Sequence, residues 1–310
     1  MNHDQDGTGL KNREAAKPVR HTGNNRKWGF TDQELAARPT VFREGLMTGK
    51  TVLISGGGTG MGKAMAFLFA RLGGNVIICG RREELLAETS ASIERFTGRK
   101  VAYKSMSIRE ENDVDALIDE CFDRHGGIDI LINNAGGQFP QDAIDFTRKG
   151  WRAVIDLNLN GTWYMMQTTA QHWRDRNRGG SIINIVANVE RGMPQAAHTC
   201  AARAGVIYLS KTVATEWAPL NIRVNCIAPG TVETEGFRVY PDEAVSRFNE
   251  ANPMKKLGNA WDIAEAAVYL SGPSGDFITG ELLVVDGGQA QWGVVWPAGT
   301  PAYFRTGQNA

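Results

Sequence analysis

The chain has 310 residues, equal numbers of basic and acidic side chains at 34 each, and 42% hydrophobic residues. The neutral balance argues against binding nucleic acid through bulk positive charge, and the hydrophobic content suffices for a full core. The four cysteines show no metal-ligand spacing, so we expect reduced thiols and no metal site. Without an apolar run for a signal peptide or membrane span, or a C-terminal peroxisomal address, we expect a cytoplasmic protein.

Three zones are predicted along the chain. Residues 1–45 form a polar N-terminal extension, in which Thr31 and Glu34 have the spacing of a helix capping box. Residues 46–288 alternate short β-branched runs with helical patterns, and residues 289–310 form an aromatic tail. We expect this tail to pack against the body or a neighbouring subunit, or to close over the active site. Its aromatic residues are Trp292, Trp296, Tyr303 and Phe304.

Six continuous apolar runs in the middle zone predict strands that are covered on both faces. In chain order they are T-V-L-I-S, N-V-I-I-C, V-A-Y-K, I-L-I-N, S-I-I-N-I-V and R-V-N-C-I-A. Helical patterns lie between them, for example over residues 63–72, 83–96 and 114–125. This alternation predicts an α/β fold with a Rossmann-type, doubly wound parallel sheet, three layers and a single domain.

The first predicted strand ends in S-G-G-G-T-G-M-G, and a helix follows at once. Glycines let the backbone turn tightly and approach a pyrophosphate, which then sits at the helix N-terminus. The stretch therefore predicts a dinucleotide site. Its expected cofactor contacts are Gly56, Thr59, Gly60, Met61 and Gly62.

The second predicted strand ends in C-G-R-R. An acid at this point would bind the ribose hydroxyls of NAD, whereas Gly80 leaves room for a 2′-phosphate and Arg81 and Arg82 supply cations for it. We therefore favour NADP(H) as the cofactor. The alternative is that both arginines are only solvated charges at the start of a helix.

Further motifs follow in a fixed order. They are N-N-A-G at 133–136, N-L-N-G at 158–161, A-P-G-T-V at 228–232 and F-I-T-G with V-V-D-G-G within 277–288. With the glycine spacing, this set resembles the short-chain dehydrogenase/reductase family over residues 46–288. The resemblance implies cofactor contacts on the adenosine side and near the nicotinamide. They are Asn134, Ala135 and Gly136 for the first, and Pro229, Gly230 and Val232 for the second.

The catalytic positions depart from the family pattern. Members typically reduce a carbonyl with an Asn–Ser–Tyr–Lys tetrad; Asn158 matches the Asn, but Thr199 and Arg203 stand for Tyr and Lys, and Ala187 or Val186 for Ser. A threonine hydroxyl is far less acidic than a phenol, and arginine stays protonated. Arg203 can still bind the ribose and place positive charge near developing negative charge.

Three nearby side chains are candidates to replace the missing tyrosine. Tyr208 lies on the opposite face of the predicted helix, because it is nine positions from Thr199. His198 is a better candidate than Cys200, since it titrates near neutral pH. The alternative for His198 is a structural or interface role, and the alternative for Cys200 is a structural role.

Conjugate reduction of an enoyl thioester demands less of a proton donor, because the enolate needs hydrogen-bond donors and water can protonate the α-carbon. Thr199 and Arg203 suit that reaction. The stretches G-G-Q-F at 136–139, K-G-W at 149–151 and H-T-C-A-A-R-A-G-V at 198–206 resemble the peroxisomal trans-2-enoyl-CoA reductase branch. The sister 2,4-dienoyl-CoA reductases are a more distant match, and their displaced tyrosine falls on Asn188. Gln138 and Phe139 either line the substrate pocket or pack the loop.

These observations predict an NADPH-dependent oxidoreductase that reduces the C=C bond of an enoyl-CoA in fatty acid metabolism. The alternatives are a carbonyl/alcohol oxidoreductase with a substitute proton donor, and a non-catalytic NADP(H)-binding protein. The expected partners are an acyl-CoA thioester and further copies of the chain, with no nucleic acid and no membrane. The resemblance implies a homo-oligomer, a tetramer, built on connecting helices over residues 151–178 and 197–217.

Overall fold

The computed structural model describes residues 28–239 and 242–292. The predictions for Trp296, Tyr303 and Phe304 concern residues outside these ranges. Nine strands run through the described chain, and they are β1 (Thr51–Ser55), β2 (Asn75–Gly80), β3 (Ala102–Ser105), β4 (Ile130–Asn133), β5 (Gly180–Ile185), β6 (Ile222–Pro229), β7 (Val232–Glu233), β8 (Gly258–Asn259) and β9 (Leu282–Val285).

Nine α-helices accompany the strands in the described ranges. They are α1 (Asp32–Ala37), α2 (Gly60–Arg71), α3 (Glu83–Thr97), α4 (Glu111–Arg124), α5 (Arg148–Ile155), α6 (Gly161–Asp175), α7 (Ala197–Trp217), α8 (Asp242–Ser246) and α9 (Ala260–Ser271). A π-helical segment, Asp156–Asn160, joins α5 to α6.

Seven strands form one parallel sheet in the order β3-β2-β1-β4-β5-β6-β9. The chain runs outward from β1 in one direction and then returns to start again at β4, so the connecting loops diverge between these two strands. A crevice at the carboxyl ends of β1 and β4 follows from this reversal. The structure thus confirms the predicted doubly wound α/β fold.

Two hydrophobic clusters cover the two faces of the sheet. Along β1, Val52 and Ile54 face the cluster that contains residues of α2 and α9, whereas Leu53 faces the cluster of α4 and α6. All three side chains are fully buried. A strand that is covered on both sides needs apolar residues at every position, which explains the continuous apolar runs.

The residues before β1 pack against the sheet domain. Thr31 and Glu34 form the predicted capping box of α1, and Leu35 is buried in the α2–α9 cluster. Asp32 pairs with Lys63 of α2 at 2.5 Å and accepts a hydrogen bond from Ser92 of α3. Residues from Trp28 onward therefore reach the helices that flank the glycine-rich loop.

The six predicted strands are confirmed, with ends that shift by one or two residues. The strand β9 is not among the predictions, and its residues are half-buried or exposed at the sheet edge rather than fully buried. A short edge strand lacks the continuous burial on which the prediction rests. The small β7–β8 pair is likewise too short to leave a pattern.

All four cysteines are free thiols in the structure. Burial raises the pKa of Cys79 and Cys121 to about 12 and that of Cys226 to about 11. Cys200 is half-buried. Within the described ranges, no cluster of three or more His, Cys, Asp or Glu side chains has the geometry of a metal site. The helices described are too short or too polar to span a bilayer.

Candidate active site

The glycine-rich loop between β1 and α2 forms the floor of a cleft at the carboxyl edge of the sheet. Gly56 has φ of +67° and donates its amide hydrogen to the Cys79 carbonyl at 2.8 Å. A Cβ on Gly62 would overlap with the carbonyl oxygen of Gly56. Glycine at both positions is therefore required for the tight turn that brings the N-terminus of α2 to the cleft.

The loop after β4 is joined to the loop after β1. The Ser55 hydroxyl oxygen accepts the amide hydrogens of Asn134 at 3.1 Å and Ala135 at 3.0 Å. In return, the Asn134 side-chain amide donates to the carbonyls of Ser55 and Gly56, both at 3.1 Å. Two predicted cofactor residues thus also fix the backbone on which the cleft is built.

The cleft has a volume of about 310 Å³. Nine of the predicted cofactor residues line it, namely Gly56, Thr59, Gly60, Met61, Arg81, Arg82, Asn134, Ala135 and Gly136. The other predicted residues do not line it, namely Gly62, Asn158, Thr199, Arg203, Pro229, Gly230 and Val232.

Several lining residues are absent from the sequence prediction. They are Gly58, Leu85, Leu86, Met106, Ser107, Ile108, Leu157, Thr234, Glu235 and Gly236. Residues 106–108 follow β3, so the rule that ligands bind at the carboxyl ends of parallel strands would have found them. Residues 234–236 follow the A-P-G-T-V motif closely but carry no signal of their own.

The adenosine end of the cleft carries unpaired positive charge. Arg81 and Arg82 are exposed at the rim, and neither forms an ion pair with any other residue in the described ranges. A glycine floor, a helix N-terminus and two free guanidinium groups fit a dinucleotide that carries an extra phosphate.

The predicted nicotinamide side is a loop that the segment after β9 fixes in place. Gly230 donates its amide hydrogen to the Val285 carbonyl at 3.0 Å, and Thr231 donates its amide and hydroxyl hydrogens to the Gln289 side chain at 3.1 and 3.2 Å. A Cβ on Gly230 would lie 2.6 Å from that of Asp286. The close approach requires glycine there and holds Pro229 to Val232 at the carboxyl end of β6.

Asn158 lies in the π-helical segment, which inserts an extra residue where the helix passes the cleft. Its side-chain oxygen accepts from the Gly137 amide at 3.0 Å, and its side-chain nitrogen donates to the Gly137 carbonyl at 2.9 Å. Asn158 is almost completely buried. Both ends of its amide are thus engaged, and the residue positions the Gly136–Gly137 backbone.

Arg203 reaches from α7 to that same backbone. Its guanidinium donates to the Ile185 carbonyl at 3.0 Å, and it packs so closely that a Cβ on Gly136 would overlap with it. Arg203 is 8% exposed, and burial lowers its pKa to about 10. The side chain is therefore still protonated at neutral pH, and it forms no ion pair with any carboxylate in the described part of the chain.

Thr199 lies one turn before Arg203 in α7 and is 3% exposed. Its hydroxyl has no hydrogen-bond partner in the described structure. Next to it, His198 accepts the Thr199 amide hydrogen on Nδ1 at 2.8 Å. The histidine ring stacks on Phe146 at 4.4 Å and meets the edge of Phe139 at 4.6 Å. Burial among these rings lowers the pKa of His198.

The remaining candidates occupy different surroundings. Tyr208 is 71% exposed, in agreement with its expected place on the far face of α7. Asn188 donates to Asp286 at 2.9 Å. Gln138 is exposed, whereas Phe139 packs on His198.

Comparison with known proteins adds three findings. Residues 56–290 match the family model described as "Enoyl-(Acyl carrier protein) reductase". A probable 2,4-dienoyl-CoA reductase ((2E)-enoyl-CoA-producing) of Bacillus subtilis is 40% identical over 78% of this chain and 97% of its own length. A 3-oxoacyl-[acyl-carrier-protein] reductase of Chlamydia trachomatis is 34% identical over 79% of this chain and 99% of its own.

A solved structure has the same fold. It is that of a putative 2-deoxy-D-gluconate 3-dehydrogenase from Agrobacterium tumefaciens with bound NADP, at a TM-score of 0.74 and 30% identity. The match covers 81% of this chain and all of that one. The dinucleotide-binding architecture is therefore shared as a whole and not only through the glycine motif.

Proposed function

Because the chain belongs to the short-chain dehydrogenase/reductase family, we propose that it is an NADPH-dependent oxidoreductase that reduces a C=C bond of an enoyl-CoA thioester. The observation that carries this proposal is the pair on α7. Among the described residues, the buried Thr199 hydroxyl has no hydrogen-bond partner and the buried Arg203 cation has no carboxylate partner. Such groups suit a substrate on which negative charge develops.

The choice of NADPH rests on the rim of the cleft. A 2′-phosphate is an anion with several acceptor oxygens, and guanidinium groups bind it with charge-assisted hydrogen bonds. Arg81 and Arg82 are exposed where the second strand ends, and neither has an ion-pair partner among the described residues. The solved relative with bound NADP supports the same choice.

Bound NADPH supplies a hydride to the conjugated system, and the electron pair moves toward the thioester oxygen. Arg203 stabilises this developing negative charge, and the Thr199 hydroxyl donates a hydrogen bond to it. Asn158 acts indirectly by holding the Gly136–Gly137 backbone. Water supplies the proton that completes the reduction.

The first acyl-CoA to test is a 2,4-dienoyl-CoA, because the relative from B. subtilis carries that activity in its name. A trans-2-enoyl-CoA is the second, since it needs the same enolate stabilisation with one double bond fewer. The acyl-CoA substrate would place the protein in fatty acid metabolism.

Carbonyl reduction is the alternative, and the relative from C. trachomatis supports it. It would require a strong proton donor close to the substrate oxygen. His198 stands beside Thr199, and its Nε2 has no hydrogen-bond partner in the described structure. Burial lowers the pKa of His198 and so favours the neutral ring, which is a poor proton donor. These features favour C=C reduction.

The deciding experiment follows NADPH absorbance with purified protein and each substrate class in turn. We expect NADPH loss with 2,4-dienoyl-CoA or trans-2-enoyl-CoA, and none with 3-oxoacyl-CoA or simple ketones. Activity on the ketones instead would overturn the proposal in favour of carbonyl reduction. NADPH binding without turnover of any substrate would support a non-catalytic binding protein.

A further inference from the structure

The carboxylate of Glu235 lies at the N-terminus of α2. The Gly60 amide donates its hydrogen to a Glu235 carboxylate oxygen at 3.1 Å. Thr59, the N-cap residue, makes no side-chain capping bond to this helix. An acidic side chain from a distant part of the chain therefore takes the place of a capping group, where the helix dipole favours negative charge.

This contact lies inside the dinucleotide cleft. Gly60, Met61, Thr234 and Glu235 all line it. In folds of this type the cofactor diphosphate sits at the N-terminus of the first helix. A carboxylate and a diphosphate are both anions, so they compete for the same amide and repel each other at contact distance.

The segment before α1 holds the Glu235 loop in this position. Gly29 donates its amide hydrogen to the Glu233 side chain at 3.3 Å. Trp28 meets Phe237 edge to face at 5.6 Å, and Phe237 in turn meets Phe248 at 5.1 Å. Both flanks of Glu235 are therefore fixed by contacts outside the cleft.

We propose that Glu235 is an internal competitor for the cofactor diphosphate and thereby sets the affinity for NADP(H). The inference rests on the dinucleotide site of the proposed function. Cofactor binding displaces the Glu235 carboxylate from the Gly60 amide, against the contacts that hold the loop in place. Part of the binding free energy is used for this displacement, so the wild-type protein binds the cofactor less tightly than the glycine loop alone would allow.

The test measures the Kd of NADPH by fluorescence, without substrate, for the wild type, Glu235→Gln and a control, Glu243→Gln. Glu243 is an exposed acid on the neighbouring helix α8, so the control removes the same charge away from the cleft. We expect Glu235→Gln to bind NADPH about tenfold more tightly, since hydrogen bonds to charged groups contribute about that much. The control should match the wild type.

A second ligand identifies the part of the cofactor involved. Adenosine 2′-monophosphate can reach Arg81 and Arg82 but has no diphosphate, so its Kd should be the same for all three proteins. Equal or weaker NADPH binding by Glu235→Gln, relative to the wild type, would overturn the inference and leave the proposed reaction untouched. An equal gain for both ligands would also overturn it, since the effect would then not involve the diphosphate.

Discussion

Thr199 and Thr169 are two buried threonines whose hydroxyl groups both lack a hydrogen-bond partner in the described structure. A buried hydroxyl without a partner destabilises the fold by about 1–3 kcal/mol. Thr169 lies in α6, outside the candidate site. The two residues therefore provide a matched comparison. Both have a buried, unpaired hydroxyl in the described structure, but only Thr199 has an expected catalytic role.

We expect Thr199→Val to lower kcat for the enoyl thioester by about a hundredfold, as the loss of one oxyanion donor does. Thr169→Val should leave kcat unchanged. Both variants should unfold at the wild-type temperature or above it, because each loses an unsatisfied hydroxyl. Steady-state kinetics and thermal unfolding check this, and equal kcat for Thr199→Val and the wild type would remove Thr199 from the site.

Arg203 should likewise contribute to activity at the expense of stability. Burial lowers its pKa to about 10, so the charged form is less favourable in the folded protein than in the unfolded chain. Arg203→Met should lower kcat/KM by about a hundredfold or more while raising Tm or leaving it unchanged. Arg223→Met is the control, since Arg223 donates to carbonyls at the end of α9 and should affect Tm but not kcat/KM.

His198 should make the fold sensitive to mild acid. Its pKa is lowered by burial, so as pH falls through about 6.5 the unfolded chain takes up a proton that the folded protein does not. Stability therefore falls on acidification. In His198→Phe, which keeps an aromatic ring at the position that contacts Phe139 and Phe146, Tm should fall less between about pH 7.5 and pH 5.5 than in the wild type. Parallel Tm curves would contradict this account.

At the scale of elements, the contribution of the N-terminal segment to stability can be tested through the packing of α1. Leu35 is 3% exposed against the core cluster of α2 and α9, whereas Val41 in the same segment is 88% exposed. Leu35→Ala should lower the free energy of unfolding by about 2–3 kcal/mol, and Val41→Ala by less than about 0.5 kcal/mol. Urea unfolding measures both. A similar small effect for each would mean that α1 docks without stabilising the domain.

The elements that the sequence predicts well are those buried on both faces. The strand β1 matches its predicted range, because a continuous apolar run leaves little choice. The helix α7 matches the range that the family resemblance implies, although one of its faces is exposed. The edge strand β9 and the two-residue strands β7 and β8 depend on partners distant in sequence. Their residues carry no burial pattern from which pairing could be inferred.

The residues of the candidate site also differ in how well the sequence predicts them. Gly56 and Gly60 could be predicted as parts of a tight turn, because backbone geometry limits which residues fit one. Asn134 is assigned to the cleft only through the family resemblance. The position of Glu235 on the Gly60 amide could not be predicted, since 175 residues separate them. The aromatic packing around His198 likewise joins a loop after β4 to the start of α7, and only the folded chain brings these together.

For the whole molecule, α6 and α7 are the connecting helices on which the family resemblance predicts subunit contacts, and the outer face of α7 exposes an aromatic side chain. Tyr208 is 71% exposed, although it lies in the middle of a 21-residue helix. Exposed aromatic side chains are enriched where protein surfaces associate. We therefore expect these helices to form the contact in the homo-oligomer that the family resemblance predicts.

A charge on this face should separate the subunits. Tyr208→Glu should shift the species seen by sedimentation velocity from a tetramer toward smaller forms, because an interface would have to bury an unpaired carboxylate. Tyr103→Glu is the matched control, since Tyr103 is 42% exposed on β3 at the opposite edge of the sheet from β9. It should leave the assembly unchanged. Dissociation by the control alone would place the contact at the β3 edge, and a monomeric wild type would contradict the tetramer altogether.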